Sequence, residues 1–435
     1  MHSILVLGAG FVAAPLVDYL TRKDYQITIA SHLLAESEAI ANNYEAATAI
    51  QLDVSNNQAL SSAIRAHDMV VSFVPFVFHE QVAEACIAES RSLVTASYET
   101  EKMRSLDAAA KQAGVTIINE IGLDPGIDHL SARKLFDDIH AEGEALESFV
   151  SWCGGIPAVS ANNNPLGYKF SWSPKSVLLA ILNDAKYIND GQEQIIPAAE
   201  LLTTTETVKV SDELELEGYA NRDSTSYVDS YNIPEAKKVL RGTLRFPGFC
   251  EIMQLCKNIG LLDQTDCIKD WQGKDWVDYI LSNAEKSHSD FTTNLSEVEK
   301  GALDYLGLLR EGHAIPDTET ILDAFCALLT EKLAYADDES DMVVMQHQFQ
   351  SRTASGEQLL RTSTLVLEGE PKGFSAMAKT VGTPAAIMVD MIMTQEFTET
   401  GVLLPMTAAF YGPMLPRLAV EGIELVERTY TIGAN

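Results

Sequence analysis

The chain is short of basic side chains and has no paired cysteines. Its 31 Lys and Arg residues face 62 Asp and Glu residues, which gives a formal net charge of −31 at pH 7. Such a surface repels phosphate backbones and anionic lipids, so we predict neither a nucleic-acid partner nor a membrane partner. The six cysteines are scattered singly, without a C-x-x-C pair. This spacing predicts no metal site and no disulfide framework.

Long apolar runs and a targeting segment are also missing. No run approaches the roughly 20 apolar residues that a transmembrane helix needs. The residues of the first predicted strand begin at once after Met1, without the basic stretch that opens a signal peptide. We therefore expect a cytoplasmic protein. A chain of 435 residues with 46% hydrophobic content predicts two or three domains with sizeable cores.

The first part of the chain repeats an alternation of strand and helix. Apolar runs recur at intervals of about 22 residues, which suits one strand and its crossover helix. The pattern predicts an α/β protein with a doubly wound parallel sheet of the Rossmann type, whose carboxyl edge binds a dinucleotide. The six runs are Ile4–Leu7, Ile27–Ala30, Ala49–Leu52, Met69–Val74, Leu93–Ala96 and Val115–Ile118.

A glycine-rich loop follows the first predicted strand. Gly8 and Gly10 are separated by one residue, and Ala13 stands at the third position of the G-x-G-x-x-G/A fingerprint. Gly8 permits a tight turn, and Gly10 lets a pyrophosphate approach the backbone at the N-terminus of the next helix. The alternative interpretation is a glycine-rich turn that binds no ligand.

The residues that end the next strands indicate which nucleotide binds. Ser31 and His32 follow the second strand, where NAD enzymes carry an acidic residue and NADP enzymes often an arginine. Ser31 and His32 can each hydrogen-bond a 2′-phosphate, which favours NADP over NAD. The alternative is that both are ordinary loop residues. Asp53 is placed either to accept a hydrogen bond from adenine or to cap the next helix, a role that Ser55 can also fill.

The expected cofactor contacts lie at the carboxyl ends of these strands. They are Gly8, Gly10, Phe11, Val12, Ser31, His32, Asp53, Val54, Ser72, Val74, Pro75, Leu123 and Pro125.

The later segments differ in pattern from the first. Short β-prone runs with glycine and proline predict a mixed α/β layer, and three-and-four apolar spacing then predicts helices. We expect two strands over Met342–Gln348 and Ser363–Glu368, and a helix over Phe374–Met393. The predicted divisions are a nucleotide-binding domain over 1–128, a substrate and dimerisation domain over 129–247 and 340–372, a helical lobe over 248–339, and a C-terminal segment, 373–435, that packs back on the nucleotide domain.

The middle segment carries basic side chains next to Asn, Ser and Thr. Guanidinium groups suit paired hydrogen bonds to carboxylates, so these residues are candidate receptors for an anionic ligand. The alternative is surface ion pairing with the surplus of Asp and Glu. The residues are Lys169, Lys175, Arg222, Arg241 and Arg245.

Non-repetitive motifs recur along the chain, at Thr95–Tyr98, Asn119–His129, Trp152–Pro157, Asn164–Ser173, Asn221–Thr225, Arg241–Arg245, Asp341–Met345 and Gly373–Gly382. These motifs resemble the saccharopine dehydrogenase family of the L-glutamate-forming type, also called saccharopine reductase. The resemblance covers nearly the whole chain and looks closest to the corresponding portion of the animal bifunctional lysine-degrading enzyme. That group has an acidic residue where this chain has His32, so the choice between NADP and NAD stays open.

The resemblance implies an NAD(P)-dependent oxidoreductase that acts on a CH–NH group in lysine metabolism and forms a homodimer. Hydride transfer between saccharopine and the nicotinamide, with hydrolysis of the imine, would yield glutamate and 2-aminoadipate 6-semialdehyde. Ser173 in the matching motif would contact the cofactor. The implied substrate contacts are Ser97, Tyr98, Asp124, Arg222, Thr243, Leu244 and Arg245.

The resemblance also suggests catalytic residues. Asp124 would pair with the substrate ammonium, Tyr98 would hydrogen-bond the reacting nitrogen, and Cys153 would lie close by. His129 is a further candidate base, although a histidine before an apolar helix is more typical of a cap or core residue. Cys153 is also typical of a packed small residue. Two alternative functions stay open: another amine dehydrogenase, acting on lysine or carboxynorspermidine, and a dinucleotide sensor without catalysis.

Overall fold

The computed structural model describes residues 2–433, apart from the side chains at positions 266 and 267. Contacts within the chain separate two compact units, each made of three segments. The first unit comprises Met1–Ala145, Thr353–Ser355 and Gly373–Arg428. The second comprises Leu146–Arg352, Gly356–Lys372 and Thr429–Asn435.

Strands occur throughout the described residues. In chain order they are β1 (Ser3–Leu7), β2 (Gln26–Ser31), β3 (Ala47–Gln51), β4 (Met69–Ser72), β5 (Ser92–Thr95), β6 (Thr116–Ile118), β7 (Ala145–Pro157), β8 (Ala185–Asn189), β9 (Gln192–Ile196), β10 (Glu206–Lys209), β11 (Glu215–Ala220), β12 (Lys238–Arg245), β13 (Asp341–Arg352), β14 (Gln358–Glu368), β15 (Gly401–Leu403) and β16 (Val426–Thr431).

Helices connect most of these strands, and none of those described combines the length and apolar character needed to cross a bilayer. In chain order they are α1 (Ala13–Arg22), α2 (Leu34–Ala41), α3 (Asn57–Arg65), α4 (His79–Ala88), α5 (Glu101–Ser105), α6 (Asp107–Ala113), α7 (Ile127–Ala141), α8 (Pro174–Ala180), α9 (Tyr227–Ser230), α10 (Phe249–Asn258), α11 (Trp276–Ala284), α12 (His288–Thr293), α13 (Glu297–Leu306), α14 (Ile321–Lys332), α15 (Ala376–Met393) and α16 (Ala408–Val420).

The first unit contains a parallel sheet in the strand order β15-β6-β5-β4-β1-β2-β3. The central strands are buried on both faces, which explains why they appear in the sequence as continuous apolar runs. The order matches a doubly wound sheet, so the predicted α/β class and Rossmann topology are confirmed. The seventh strand, β15, was not predicted because its three residues form no recognisable run.

Helix α15 packs on α1 in this unit through a glycine. A Cβ at Gly382 would lie 2.6 Å from the backbone oxygen of Val12, so only glycine allows this approach. Ser375 caps the helix by accepting a hydrogen bond from the Ala378 amide. The helix therefore supports the first turn of α1, directly after the glycine-rich loop.

The second unit contains a mixed sheet in the order β10-β11-β12-β7-β13-β14-β16, with β8 pairing with β12 and β9. Strands β12 and β7 are parallel, and β13 and β14 form a long antiparallel hairpin. The two strands expected in this hairpin were predicted correctly but are longer than the sequence indicated. Side chains from α10 to α14 share one hydrophobic core with the sheet.

Trp152 organises the centre of this sheet. Its side chain is 2% exposed, and its ring covers the positions where Gly218 and Gly242 on the neighbouring strands lack a Cβ. A Cβ at Gly218 would lie 2.7 Å from the ring, and one at Gly242 would be closer still. Because β12 also carries Thr243 and Arg245, this packing fixes the strand that holds the candidate substrate contacts.

We predict that Gly242→Ala lowers the thermal midpoint of unfolding by several degrees. The added methyl group overlaps the Trp152 ring, and overpacking of this kind costs roughly 1–3 kcal/mol. Gly301→Ala in α13 is the matched control, since nothing lies within 4 Å of its Cβ position and alanine favours a helix. Circular dichroism melting of both variants tests the prediction, and equal midpoints would contradict it.

Candidate active site

The glycine-rich loop of the first unit contains two glycines with different roles. Gly8 has a φ of +103°, and a Cβ there would lie 2.7 Å from the backbone oxygen of Phe73. Its amide donates to the Ala30 oxygen at 2.8 Å. Gly10, in contrast, has no atom within 4 Å of its Cβ position. Gly8 is therefore required by the protein's own packing, whereas Gly10 leaves space for a ligand.

The N-terminus of α1 fits an anionic ligand. Its N-cap residue, Val12, offers no side-chain cap, and the first turn contains no acidic residue. Backbone amides at an uncapped helix start are donors with a positive dipole, which suits a pyrophosphate. Phe11 is 76% exposed beside this end. The residues present thus fit the dinucleotide that the fingerprint predicts.

The end of β2 offers one available side chain. The Ser31 hydroxyl donates to the Glu36 carboxylate at 2.8 Å and accepts from the Leu33 amide at 3.2 Å. It is therefore engaged within its own loop. The His32 side chain is exposed, and its ring makes no hydrogen bond to the described residues. Of the two, His32 is the better placed to meet a nucleotide, and Glu36 is a nearby acid that sequence analysis did not single out.

Asp53, after β3, does not cap a helix. Its carboxylate accepts from the Ser55 amide at 2.9 Å and the Ser55 hydroxyl at 2.7 Å, and these bonds lower its pKa. The N-cap of α3 is Asn56, whose side chain accepts from the Ala59 amide. The alternative of Asp53 or Ser55 as helix cap is therefore wrong, because the helix begins later. Val54 is half-buried beside this turn.

The end of β4 combines a buried and an exposed part. Ser72 is fully buried, and its hydroxyl lies 3.0 Å from Nδ1 of His79. Burial lowers the pKa of His79 to about 4, so this imidazole is neutral at pH 7. Val74 is 9% exposed and Pro75 is exposed. The surface available to a ligand here is Val74 and Pro75 rather than Ser72.

Tyr98 and Asp124 lie beyond the carboxyl ends of the adjacent strands β5 and β6, and both are half-buried. The Asp124 loop closes on itself, because the Gly122 amide donates to the Pro125 oxygen at 2.9 Å. Leu123 is 4% exposed in the same loop. The topology therefore brings the two candidate catalytic side chains, with Ser97, to one edge of the sheet.

His129 is a core residue. It is 0% exposed, and its Nε2 lies 2.8 Å from the Glu120 carboxylate. Burial lowers the pKa of His129, but the Asp128 and Glu120 carboxylates raise it, and the net direction is upward. Asp128 in turn accepts from the Gly126 amide at 2.5 Å. This arrangement favours a structural role below the Asp124 loop over that of a general base.

In the second unit, β7 and β12 bring together side chains that are far apart in the sequence. Cys153 and Thr243 are directly paired across the two parallel strands. Because side chains alternate along a strand, Thr243 and Arg245 share one face of β12. Leu244 is 0% exposed in the hydrophobic core, so contact with a ligand would involve its backbone.

Arg245 is a buried cation without a carboxylate partner. It is 4% exposed, and its guanidinium carbon lies 4.9 Å from the ring centroid of Tyr168 and 5.2 Å from that of Phe249. Its Nη1 donates to the Leu244 oxygen at 2.7 Å. Among the described residues, no Asp or Glu forms an ion pair with it and its Nε has no acceptor.

Three of the other basic residues have hydrogen-bonding partners within the second unit. Lys169 is buried and lies 2.5 Å from Glu339, and the exposed Lys175 lies 2.7 Å from Asp323. For Lys175 the alternative interpretation, surface ion pairing, is confirmed, whereas the ion pair of Lys169 is buried. Arg241 donates to the Tyr227 hydroxyl and stacks over its ring.

Two predicted contacts lie in turns of the second unit. Arg222 is exposed and has a φ of +54°, a conformation that non-glycine residues rarely adopt. The following residue holds this turn, because the Asp223 carboxylate accepts from the amide and hydroxyl of Thr225. Ser173 is exposed and caps α8.

No group of three or more described His, Cys, Asp and Glu side chains is arranged to hold a metal ion.

Family models match both parts of the chain. A model described as the saccharopine dehydrogenase NADP binding domain matches residues 4–118. One described as the saccharopine dehydrogenase C-terminal domain matches residues 122–423.

Curated relatives and a solved structure agree with these models. The chain is 38% identical to the NADP(+), L-glutamate-forming saccharopine dehydrogenase of Schizosaccharomyces pombe, over 98% of this chain and 99% of that protein. It is 37% identical to the mitochondrial alpha-aminoadipic semialdehyde synthase of Bos taurus, over 97% of this chain but 47% of that protein. The apo structure of saccharopine dehydrogenase (L-Glu forming) from Saccharomyces cerevisiae superposes with a TM-score of 0.92 at 37% identity, covering 99% and 100% of the two chains.

We predict that Gly10→Val weakens NADP binding by at least ten-fold while the thermal midpoint stays within about 2 °C of wild type. The added side chain enters space that no protein atom occupies and that the pyrophosphate needs. Gly8→Ala is the contrast, because its Cβ meets Phe73 and should lower the midpoint. Fluorescence titration with NADPH measures the affinity, and unchanged binding by the Gly10 variant would contradict the assignment.

Proposed function

Because the chain belongs to the saccharopine dehydrogenase family, we propose that it catalyses the NADP-dependent oxidation of saccharopine to L-glutamate and 2-aminoadipate 6-semialdehyde. It is an oxidoreductase of CH–NH donors. Matches to NADP enzymes over nearly the full length of both chains favour this function over the lysine and carboxynorspermidine dehydrogenases and over a non-catalytic sensor.

The first unit supplies the nucleotide contacts. Gly8 and Gly10 let the backbone approach the pyrophosphate, and the first-turn amides of α1 donate to it. His32 meets the 2′-phosphate at the end of β2. When bound, NADP accepts the hydride from the carbon next to the saccharopine nitrogen. Water supplies the aldehyde oxygen when the imine is hydrolysed, and side chains of this chain bind the substrate and move the protons.

The observation that supports saccharopine most directly is the buried Arg245 guanidinium. Arginine is almost never fully buried without a charged partner, because desolvation of the ion is costly. Tyr168 and Phe249 flank its guanidinium, and cation–π contacts offset part of that cost. Saccharopine carries three carboxylates, and one of these would provide the missing anion.

Arg222 is proposed as a second carboxylate contact. Its left-handed backbone conformation is uncommon, and such strain is concentrated at functional sites. The Asx turn formed by Asp223 and Thr225 holds the backbone there. Thr243 adds a hydroxyl on the face that Arg245 shares. Together these groups suit a substrate that carries several carboxylates.

We assign the proton chemistry to Asp124 and Tyr98. Both side chains lie beyond adjacent strand ends, and a carboxylate near the secondary amine stabilises its protonated form. Tyr98 donates to the nitrogen or to the carbinolamine oxygen that precedes hydrolysis. Cys153, half-buried opposite Thr243, is placed beside the substrate rather than as a nucleophile, since hydride transfer needs no covalent intermediate.

We expect a homodimer from the family resemblance and a cytoplasmic location from the sequence. Neither is tested by the geometry of the single chain, and both stay predictions.

We predict that Arg245→Ala raises the KM for saccharopine ten-fold or more and leaves the affinity for NADP near wild type. Loss of a desolvated charge pair costs roughly 2–5 kcal/mol, and each 1.4 kcal/mol is a factor of ten. Arg245→Lys should recover only part of the affinity, because an ammonium lacks the planar fork. Steady-state kinetics with saccharopine and NADP measures both effects.

Lys175→Ala is the control for general loss of positive charge. Its ion pair with Asp323 is exposed, and such pairs contribute at most about 1 kcal/mol. This variant should keep the wild-type KM. Normal saccharopine kinetics in Arg245→Ala would show that the proposed carboxylate contact is wrong.

We also predict that His32→Asp lowers the ratio of kcat/KM for NADP over NAD. The new carboxylate repels the 2′-phosphate, which NAD lacks. Glu36→Gln should instead raise the ratio, because it removes the carboxylate that accepts a hydrogen bond from the Ser31 hydroxyl. Assays of both variants with each nucleotide test the assignment, and an unchanged ratio in His32→Asp would place 2′-phosphate recognition elsewhere.

A further inference from the structure

Two buried hydrogen-bond donors of the second unit lie together without acceptors. Among the described residues, neither the Tyr168 hydroxyl nor Nε of Arg245 has a hydrogen-bond acceptor. The Arg245 guanidinium carbon lies 4.9 Å from the centroid of the Tyr168 ring, so the two groups are in direct contact. Most buried polar atoms are hydrogen-bonded, so two adjacent exceptions call for a physical cause.

The surroundings of Tyr168 fix its ring and offer no acceptor for its hydroxyl hydrogen. The side chain is 1% exposed and packs edge-on against Phe170 and at a tilt against Phe249. Burial raises its pKa, while Arg245 and the indole N–H of Trp172 lower it, and the net direction is upward. The phenol therefore keeps its proton. An indole is a donor only, so Trp172 cannot accept that proton.

The neighbours of Arg245 also supply no anion. Phe249 covers a face of the guanidinium, and the Leu244 oxygen accepts from Nη1 only. Glu217 stands opposite Arg245 across β11 and β12, but its carboxylate accepts from the Cys250 amide at 2.8 Å and forms no ion pair with Arg245. No carboxylate of the described residues therefore pairs with Arg245, and a carboxylate of a ligand would supply the acceptor that both donors lack.

We propose that the Tyr168 hydroxyl and Nε of Arg245 bind the same carboxylate of saccharopine, and that Tyr168 is a residue that determines specificity for that carboxylate. This inference rests on the proposed function. A carboxylate has two oxygens and about four lone-pair positions, so it accepts both donors at once. A hydrogen bond to a charged group contributes more than a neutral one, which makes the hydroxyl important for affinity.

The test is Tyr168→Phe, which keeps the ring over Arg245 and removes only the hydroxyl. We expect the KM for saccharopine to rise about ten-fold or more, with kcat within two-fold and NADP affinity unchanged. The thermal midpoint of the ligand-free enzyme should stay the same or rise, because a buried donor without an acceptor is removed. Saccharopine should also stabilise the variant against heat less than it stabilises wild type.

Tyr279→Phe is the matched control. Its hydroxyl donates to the Gly260 oxygen at 2.8 Å, so this change should lower the midpoint and leave the KM alone. An unchanged KM in Tyr168→Phe, or a fall in its midpoint like that of Tyr279→Phe, overturns the inference. If wild type reduces NADP with saccharopine, such a result leaves the proposed function in place. If wild type does not, the proposed function itself fails.

Discussion

A positive charge buried without a carboxylate partner among the described residues is the constraint on which the second unit's candidate site depends. Arg245 is 4% exposed, is flanked by two aromatic rings, and donates a hydrogen bond to the backbone oxygen of Leu244. Such a group is costly in the ligand-free protein, because its lost hydration is only partly replaced. The strand that carries it is held rigid by Trp152, which fills the space above two glycines. The fold thereby fixes the position of the guanidinium that we propose binds a substrate carboxylate.

The first unit depends on a different constraint, the close approach of backbone to backbone. Gly8, Gly126 and Gly382 each stand where a Cβ would overlap a neighbouring main chain, so these glycines serve the protein. A Cβ at Gly10 would overlap nothing, and we propose that this space admits the pyrophosphate. Because all strands of this sheet are parallel, the loops after β1, β2, β5 and β6 open on the same edge. A nucleotide and the side chains of Tyr98 and Asp124 can therefore use one edge of one sheet.

Sequence patterns predicted the fold better than they predicted the partners of single side chains. Buried parallel strands produce apolar runs, so six of the seven strands in the first sheet were found, and β15 was missed because it is short. Asp53 and Ser55 were considered as alternative caps of α3, whereas the cap is Asn56, because all three residue types favour that position. Lys169 and Lys175 could not be told from Arg245 in the sequence. Their partners, Glu339 and Asp323, lie 170 and 148 residues away, and only folding brings them together.

The residues whose conformation or missing partners destabilise the ligand-free protein are also the residues at which we propose that substrate binds. Arg222 adopts a φ of +54°, Arg245 lacks a carboxylate, and the Tyr168 hydroxyl lacks an acceptor in the described structure. Each feature destabilises the free protein by an amount on the order of 1–3 kcal/mol. For stability alone, glycine would be better than Arg222, an ion-paired residue better than Arg245, and phenylalanine better than Tyr168. A ligand that completes these contacts binds the folded state only, so it stabilises the enzyme as it binds. On our proposal, the same groups that destabilise the ligand-free protein give the site its affinity and its preference for a substrate with several carboxylates.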